Sequence, residues 1–191
     1  MIDFKNEINT YFQRAINVIN NLNIEEINDA MNEILRAHDR CSNIYIFGNG
    51  GSSATASHFV CDFNKGISEN INKKFNLICL NDNTSIMTAI ANDIGYDEVF
   101  SYQLKDKLTR NDLVIAISGS GNSKNIIKAV EYCKQCEIKV IGVTGYSGGR
   151  LKELSDYRLH VNVDDMQITE DIHMVFDHMM MRIFKDYLEK L

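Results

Sequence analysis

Apolar residues recur every three or four positions along the first part of the chain. Over residues 3–22 this spacing predicts one amphipathic helix, and Asn23 interrupts the pattern. A second apolar period over residues 24–40 opens on two glutamates and ends on arginine, as a helix dipole favours. The sequence therefore predicts an N-terminal helical hairpin over residues 1–41. Its apolar faces either cover the rest of the domain or pair with another subunit, and the pattern leaves both open.

From residue 42 onward the pattern changes to short, continuous apolar runs that alternate with helical segments. Runs of this kind are typical of parallel strands that are buried on both faces. Five strands are predicted, over residues 44–47, 75–80, 112–117, 138–143 and 157–163. A last helix is predicted over residues 168–190. The alternation predicts an α/β core over residues 42–191, built as a three-layer αβα sandwich with about five parallel strands, so that residues 1–191 form a single domain.

Two turns rich in glycine and serine follow the first and third predicted strands. They are Asn49-Gly50-Gly51-Ser52-Ser53 and Ser118-Gly119-Ser120-Gly121-Asn122-Ser123. Each turn leads into a helix, so backbone N–H groups and the positive end of a helix dipole converge where an anion is favoured. Neither turn has the Walker A or Gly-x-Gly-x-x-Gly pattern, which disfavours a nucleotide. We expect the turns to hold a phosphorylated small molecule, although serine and glycine that only cap a helix are an alternative for either turn alone.

A histidine and a carboxylate follow the first turn at helical spacing. His58 and Asp62 are four residues apart, so they share one face of the predicted helix. This pair suits metal binding or acid–base chemistry. A lone surface or capped histidine is the alternative, and the position of His58 beside a predicted phosphate site favours the functional interpretation.

The last predicted helix carries a second group of histidines and carboxylates. Glu170 and His178 are eight residues apart, which is about 12 Å along a helix axis. One helix cannot easily bring both to one metal ion, so either the helix starts after Glu170 or two chains contribute to one site. His173 and Asp177 form a rival pair, which we expect to face solvent or a subunit interface.

Composition restricts the class of partner. Of 191 residues, 45% are hydrophobic and 24% are charged, which is typical of a soluble globular domain. The net charge of -6 disfavours nucleic acid and anionic membrane surfaces. There is no apolar run long enough to span a membrane, and the N-terminus lacks the layout of a signal peptide. Because five cysteines without paired spacing also suit reduced thiols, we expect a cytoplasmic protein.

Five sequence blocks occur together in this chain. They are Gly48-Asn49-Gly50-Gly51-Ser52, His58 with Asp62, Asn92-Asp93-Ile94-Gly95, Ser118-Gly119-Ser120-Gly121-Asn122-Ser123, and Glu170-Asp171-Ile172-His173 with His178. Together they resemble the sugar isomerase (SIS) domain family over essentially the whole chain. Within it the chain resembles the phosphoheptose isomerases, which convert sedoheptulose 7-phosphate to D-glycero-D-manno-heptose 7-phosphate. The resemblance implies a flavodoxin-like SIS fold, one Zn²⁺ per site, and a homotetramer with sites between subunits.

The resemblance also implies roles for individual residues. The implied substrate-binding residues are Asn49, Gly50, Gly51, Ser52, Asn92, Asp93, Ser118, Gly119, Ser120, Ser123 and Glu170. The implied metal ligands are His58, Asp62, Glu170 and His178. The implied catalytic residues are Glu170 or Asp62 as the base and His178 as the acid, acting through an enediol.

Two of these residues depart from the family pattern. Asp62 stands where glutamate is usual, and Glu170 stands where glutamine is usual. These departures leave a different sugar phosphate as an alternative, and also a non-catalytic SIS scaffold resembling the bacterial replication-initiator-associating proteins. The retention of His58 and His178 beside carboxylates favours the enzyme. The pathway that the heptose serves, lipopolysaccharide, capsule or another conjugate, stays open.

Overall fold

Five parallel strands form one sheet at the centre of the molecule, in a computed structural model that describes residues 1–190. The strands are β1 (Ile44–Gly48), β2 (Leu77–Cys79), β3 (Leu113–Ser118), β4 (Lys139–Thr144) and β5 (Tyr157–His160). Their order is β2-β1-β3-β4-β5, and all neighbouring pairs are parallel. This order is that of flavodoxin-like folds. β2 and β5 are shorter than predicted, because flanking apolar residues such as Phe75 and Val161 are buried without continuing the ladder.

Eight α-helices lie on the two faces of this sheet, within the described residues. They are α1 (Lys5–Asn20), α2 (Ile24–Asp39), α3 (Gly51–Cys61), α4 (Thr84–Asp93), α5 (Ser101–Leu104), α6 (Lys124–Gln135), α7 (Gly149–Leu154) and α8 (Met166–Leu188). A π-helical segment, Asp62–Ile67, continues α3 without a break. Among the helices described up to residue 190, none is both long enough and apolar enough to cross a membrane.

Alternate strand residues point into two separate hydrophobic cores. Ile46 packs with the apolar residues of α2, α3 and α8, whereas its neighbour Phe47 packs with those of α4, α5 and α6. The strands are therefore buried on both faces, which explains their continuous apolar sequence. The predicted three-layer αβα sandwich is confirmed.

The two N-terminal helices pack differently. α2 buries Ile27, Ile34 and its alanines in the core, whereas α1 has no fully buried residue. On α1, Tyr11 donates a hydrogen bond to Asp171 at 2.5 Å, which ties this helix to α8. The remaining apolar stripe of α1 is 40% to 58% exposed, and it consists of Phe4, Ile8, Phe12, Ile16 and Ile19. Of the two possibilities left open by the sequence, α2 covers the domain, whereas the stripe of α1 covers no other part of residues 1–190.

Candidate active site

The strand order reverses between β1 and β3, and both glycine- and serine-rich turns follow these strands. Gly48, the last residue of β1, pairs with Ile117 near the end of β3, so the two turns begin side by side. Gly50 has φ +54°, a conformation that favours glycine because other residues are strained there. The turns thus lie where open α/β sheets bind ligands, at the carboxyl ends of the strands beside the reversal.

A reciprocal pair of amide hydrogen bonds joins the two turns. The Nδ2 of Asn49 donates to Oδ1 of Asn125 at 2.8 Å, and the Nδ2 of Asn125 donates back to Oδ1 of Asn49 at 2.9 Å. Tyr96 also donates to Oδ1 of Asn49, at 3.0 Å. Asn125 and Tyr96 were not predicted as site residues. An asparagine in the first turn of a helix is common as a capping residue, so sequence alone does not distinguish this role.

A polar cavity of about 130 Å³ lies between the two turns and the start of α8. Its lining residues are Asn49, Ser52, Ile117, Ser118, Gly119, Ser120, Ser123, Met166 and Glu170. All except Ile117 and Met166 belong to the predicted substrate-binding set. The cavity is smaller than the roughly 300–1,000 Å³ that usually encloses a whole small ligand. One chain therefore encloses only part of a ligand of that size.

The two helices that follow the turns, α3 and α6, have no side-chain N-cap. Their N-cap residues, Gly50 and Ser123, make no side-chain hydrogen bond to the start of the helix, as is also true at the starts of α1, α5 and α7. In contrast, Asn23, Asn83 and Asp165 accept hydrogen bonds from backbone N–H groups at the starts of α2, α4 and α8. Uncapped helix N-termini favour an anion, since their dipoles and N–H groups are directed at it. The geometry therefore favours anion binding over the alternative that these serines are helix caps.

Glu170 lies where the first turn meets α8. A Cβ atom built on Gly51 would lie only 2.9 Å from either carboxylate oxygen of Glu170. Glycine at position 51 thus allows the carboxylate to approach the start of α3. α8 begins at Met166, so the alternative that the helix starts after Glu170 is wrong.

A second contact between α3 and α8 brings two histidines together. His58, seven residues after Gly51, lies opposite His178, eight residues after Glu170, and their Nε2 atoms are 3.2 Å apart. The two helices therefore run side by side in the same direction. Glu170 and His178 are separated by about two helical turns.

Four side chains cluster at this second contact and can hold a metal ion. They are His58, Asp62, Asp177 and His178, and their ligand atoms all lie within 4.8 Å of one another. The Nε2 atom of His58 is 3.7 Å from Oδ2 of Asp62 and 4.0 Å from Oδ2 of Asp177. Imidazole nitrogens and carboxylate oxygens are suitable ligands for Zn²⁺. Three of the four predicted metal ligands are thus brought together in one chain, but Glu170 is not.

The prediction that His173 and Asp177 face solvent or an interface is wrong. Their exposed fractions are 1% and 0%, because this face of α8 packs into the hydrophobic core that contains Ile46. Burial lowers the pKa of His173 to about 4, and its Nε2 atom has no hydrogen-bond partner. Burial and the neighbouring charge of Asp62 raise the pKa of Asp177 to about 8. Polar residues four apart usually indicate an exposed face, which is why the sequence misled here.

Asn92 and Asp93 lie outside the cavity. Both are exposed at the end of α4, where Nδ2 of Asn92 donates to Oδ1 of Asp93 at 2.8 Å. Their role in substrate binding stays a prediction. A larger groove of about 430 Å³ between α5 and α6 shares no lining residue with the cavity, and its charged residues include the paired Lys128 and Glu98.

An open parallel sheet with a polar cavity at its strand reversal defines a class of α/β proteins that bind small molecules. Comparison with known proteins narrows this class. The SIS domain profile matches residues 8–145. The chain belongs to the SIS domain family and, within it, to the phosphoheptose isomerase group.

Three relatives illustrate the similarity. The chain is 39% identical over 169 residues to a probable phosphoheptose isomerase of Thermoplasma acidophilum, covering 88% of this chain and 92% of the relative. It is 38% identical over 156 residues to a phosphoheptose isomerase of Helicobacter pylori, covering 82% and 81%. The solved structure of a phosphoheptose isomerase from Neisseria gonorrhoeae superposes with a TM-score of 0.87 at 27% identity, covering 96% of this chain and 100% of that one.

The hydrogen bonds between Asn49 and Asn125 generate a first prediction. Replacing either residue by alanine leaves the Nδ2 group of its partner without an acceptor, which should cost about 1–3 kcal/mol of unfolding free energy. The Oδ1 atoms keep other donors, Tyr96 for Asn49 and the backbone N–H of Ile126 for Asn125. The double variant Asn49→Ala/Asn125→Ala should cost little more than either single change, because no unpaired amide remains. Urea unfolding at one protein concentration measures this, with the exposed Asn32→Ala as the control. Simple additivity of the two single effects would contradict the proposed coupling.

The buried histidine generates a second prediction, on pH and stability. The pKa of His173 is about 4 in the folded protein and near its ordinary value of 6.5 when unfolded. Between these values the unfolded chain binds the proton and the native protein does not, so stability falls as pH falls from 6.5 to 4. The contribution is on the order of 3 kcal/mol. In metal-free protein, His173→Gln should show a smaller loss of stability over this range. Parallel curves for the two proteins would rule out this role of His173.

Proposed function

We propose that the protein is an aldose–ketose isomerase that converts sedoheptulose 7-phosphate to D-glycero-D-manno-heptose 7-phosphate in heptose biosynthesis. The observation that carries this proposal is the polar cavity at the strand reversal, with the Glu170 carboxylate in its lining. The naming of the relatives as phosphoheptose isomerases supports the same substrate.

The phosphate group is proposed to bind between the two turns. The hydroxyl groups of Ser118, Ser120 and Ser123 can donate to its oxygens, and the helix dipoles of α3 and α6 add positive potential. Local donors of this kind are needed because the chain as a whole carries a net charge of -6. Asn49 and Asn125 hold the two turns in register for this contact.

Proton transfer between C1 and C2 of the sugar is assigned to Glu170 and His178. Glu170 takes the proton from C1 of the ketose, which gives an enediol, and His178 moves a proton to or from the carbonyl oxygen. Glu170 is favoured over Asp62 as the base, because Glu170 lines the cavity and Asp62 lies in the metal cluster. When bound, Zn²⁺ supplies a Lewis acid that polarises the sugar oxygens, and His58, Asp62 and His178 would hold it.

The separation of Glu170 from His178 supports an active site shared between subunits. C1 and C2 are adjacent atoms, whereas these two side chains are about two helical turns apart in one chain. We propose that a neighbouring copy brings one of the two groups to the sugar, within a homotetramer. The exposed apolar stripe of α1 supports such an assembly, as do exposed apolar residues of α8 such as Ile183 and Tyr187.

A cytoplasmic location completes the proposal. All five cysteines are free, which suits a reducing compartment. The uncapped helix N-termini and the buried, unpartnered Asp177 are features that a non-catalytic scaffold does not require. They therefore favour the enzyme over the scaffold alternative.

The isomerase proposal predicts a specific isotope result. Zinc-loaded protein mixed with sedoheptulose 7-phosphate in D₂O should produce an aldose phosphate that carries deuterium at C2. NMR of the sugar measures both the conversion and the position of the deuterium. Glu170→Gln should lower the rate by about 10²–10⁴-fold, since general base catalysis is lost, while the sugar phosphate still binds. The control is Glu131→Gln, which removes an exposed carboxylate on α6. Full turnover by Glu170→Gln would exclude Glu170 as the base, and no turnover by the native protein would exclude this reaction.

The proposed assembly predicts that a charge in the α1 stripe separates the subunits. Phe12→Lys inserts a charge where the side chain is 58% exposed in the single chain and should be buried in the tetramer. Light scattering after gel filtration should show a shift from tetramer to smaller species. Asn17→Lys adds the same charge on the opposite, solvent-facing side of α1 and should leave the mass unchanged. Equal masses for all three proteins would exclude this stripe from the interface.

A further inference from the structure

The carboxylate of Asp177 is buried and has no hydrogen-bond partner among residues 1–190. Its exposed fraction is 0%, and neither of its oxygens accepts a hydrogen bond. A buried carboxylate without partners is strongly unfavourable, so it normally binds a proton or a cation. The groups within reach of Asp177 are His58, His178 and a second carboxylate, Asp62. Two carboxylates beside two histidines form an arrangement that a divalent cation would stabilise.

The spacing of the two histidines fits one cation between them. Zn–N distances of about 2.0–2.1 Å at a tetrahedral angle place two imidazole nitrogens about 3.4 Å apart. The Nε2 atoms of His58 and His178 are 3.2 Å apart. Oδ2 of Asp177 lies 4.0 Å from Nε2 of His58, within the same small volume. The four side chains thus offer the two nitrogen and two oxygen ligands of a tetrahedral site.

Glu170 is held elsewhere by the packing of α3 against α8. Its carboxylate lies beside Gly51 in the lining of the cavity. His178 is eight residues further along the same continuous helix, so the two side chains are about 12 Å apart along its axis. Within one chain, Glu170 and His178 therefore cannot bind the same ion.

We propose that Asp177, and not Glu170, is the fourth metal ligand, so that each chain binds its Zn²⁺ with its own His58, Asp62, Asp177 and His178. The role of the metal in catalysis rests on the proposed isomerase function, whereas its binding does not. Glu170 is then free of the metal and keeps its carboxylate for proton transfer. Asp177, which directly precedes His178, completes the site, whereas Glu170, eight residues before His178, does not.

Metal binding to purified, metal-free protein tests this assignment without any substrate. Calorimetric titration with Zn²⁺ should show one site per chain for the native protein. Asp177→Asn keeps the size of the side chain but removes its charge, and we expect its Zn²⁺ affinity to fall by about 100-fold or more, since removal of even an outer partner of a ligand costs 10–100-fold. Glu170→Ala is the control, because alanine offers no ligand atom at position 170, and it should bind Zn²⁺ with native affinity.

A second measurement keeps the test decisive if Asp177→Asn folds poorly. Co²⁺ in place of Zn²⁺ reports its ligands through its visible absorption, and Glu170→Ala should give the native spectrum. A loss of affinity or an altered spectrum in Glu170→Ala would overturn the proposal in favour of a ligand from a neighbouring copy, and so would native binding by Asp177→Asn. The absence of Zn²⁺ binding by the native protein would also overturn it. Normal metal binding without isomerisation would instead exclude the proposed function and leave the ligand assignment intact.

Discussion

The close, parallel packing of α3 against α8 determines the geometry of the whole site. At the start of both helices, the missing side chain of Gly51 lets the Glu170 carboxylate approach the first turn. Two turns later the same pair of helices brings His58 to within 3.2 Å of His178. One helix–helix contact thus positions both the polar cavity and the cluster of two histidines and two aspartates. A change in the register of the two helices would disturb both at once.

This packing also fixes the distance between the two halves of the site. The cavity and the cluster lie about two helical turns apart, so one chain does not bring Glu170 and His178 to adjacent carbon atoms. The π-helical segment that follows α3 supplies one carboxylate of the cluster with His58 and His178, because Asp62 is its first residue. π-helical turns occur frequently at functional sites, where they change the direction of a side chain. The rigidity of these helices is the reason why a second copy is needed for the proposed chemistry.

Much of the fold follows from local patterns in the sequence. The continuous apolar strands and the two glycine- and serine-rich turns predict a parallel sheet with a ligand site at its edge, because strand ends and helix starts are local features. The partners of individual side chains are not local. The bonds between Asn49 and Asn125 depend on the strand order, which brings residues 76 positions apart together. Likewise, the burial of Asp177 depends on which face of α8 is covered by other elements. The sequence alone predicts the opposite, because an aspartate usually indicates an exposed position.

Charge explains why the carboxylates are divided between the two ends of α8. With Asp62 and Asp177 both ionised, a bound Zn²⁺ would give a neutral cluster, which is favourable because Asp177 is fully buried. A third carboxylate at the ion would leave the cluster with a net negative charge. Glu170 instead lies at the positive end of the α3 dipole, where an anion is stabilised. Because Asp177 has no hydrogen-bond partner among the described residues, metal binding and the packing of α8 against α3 are thermodynamically linked.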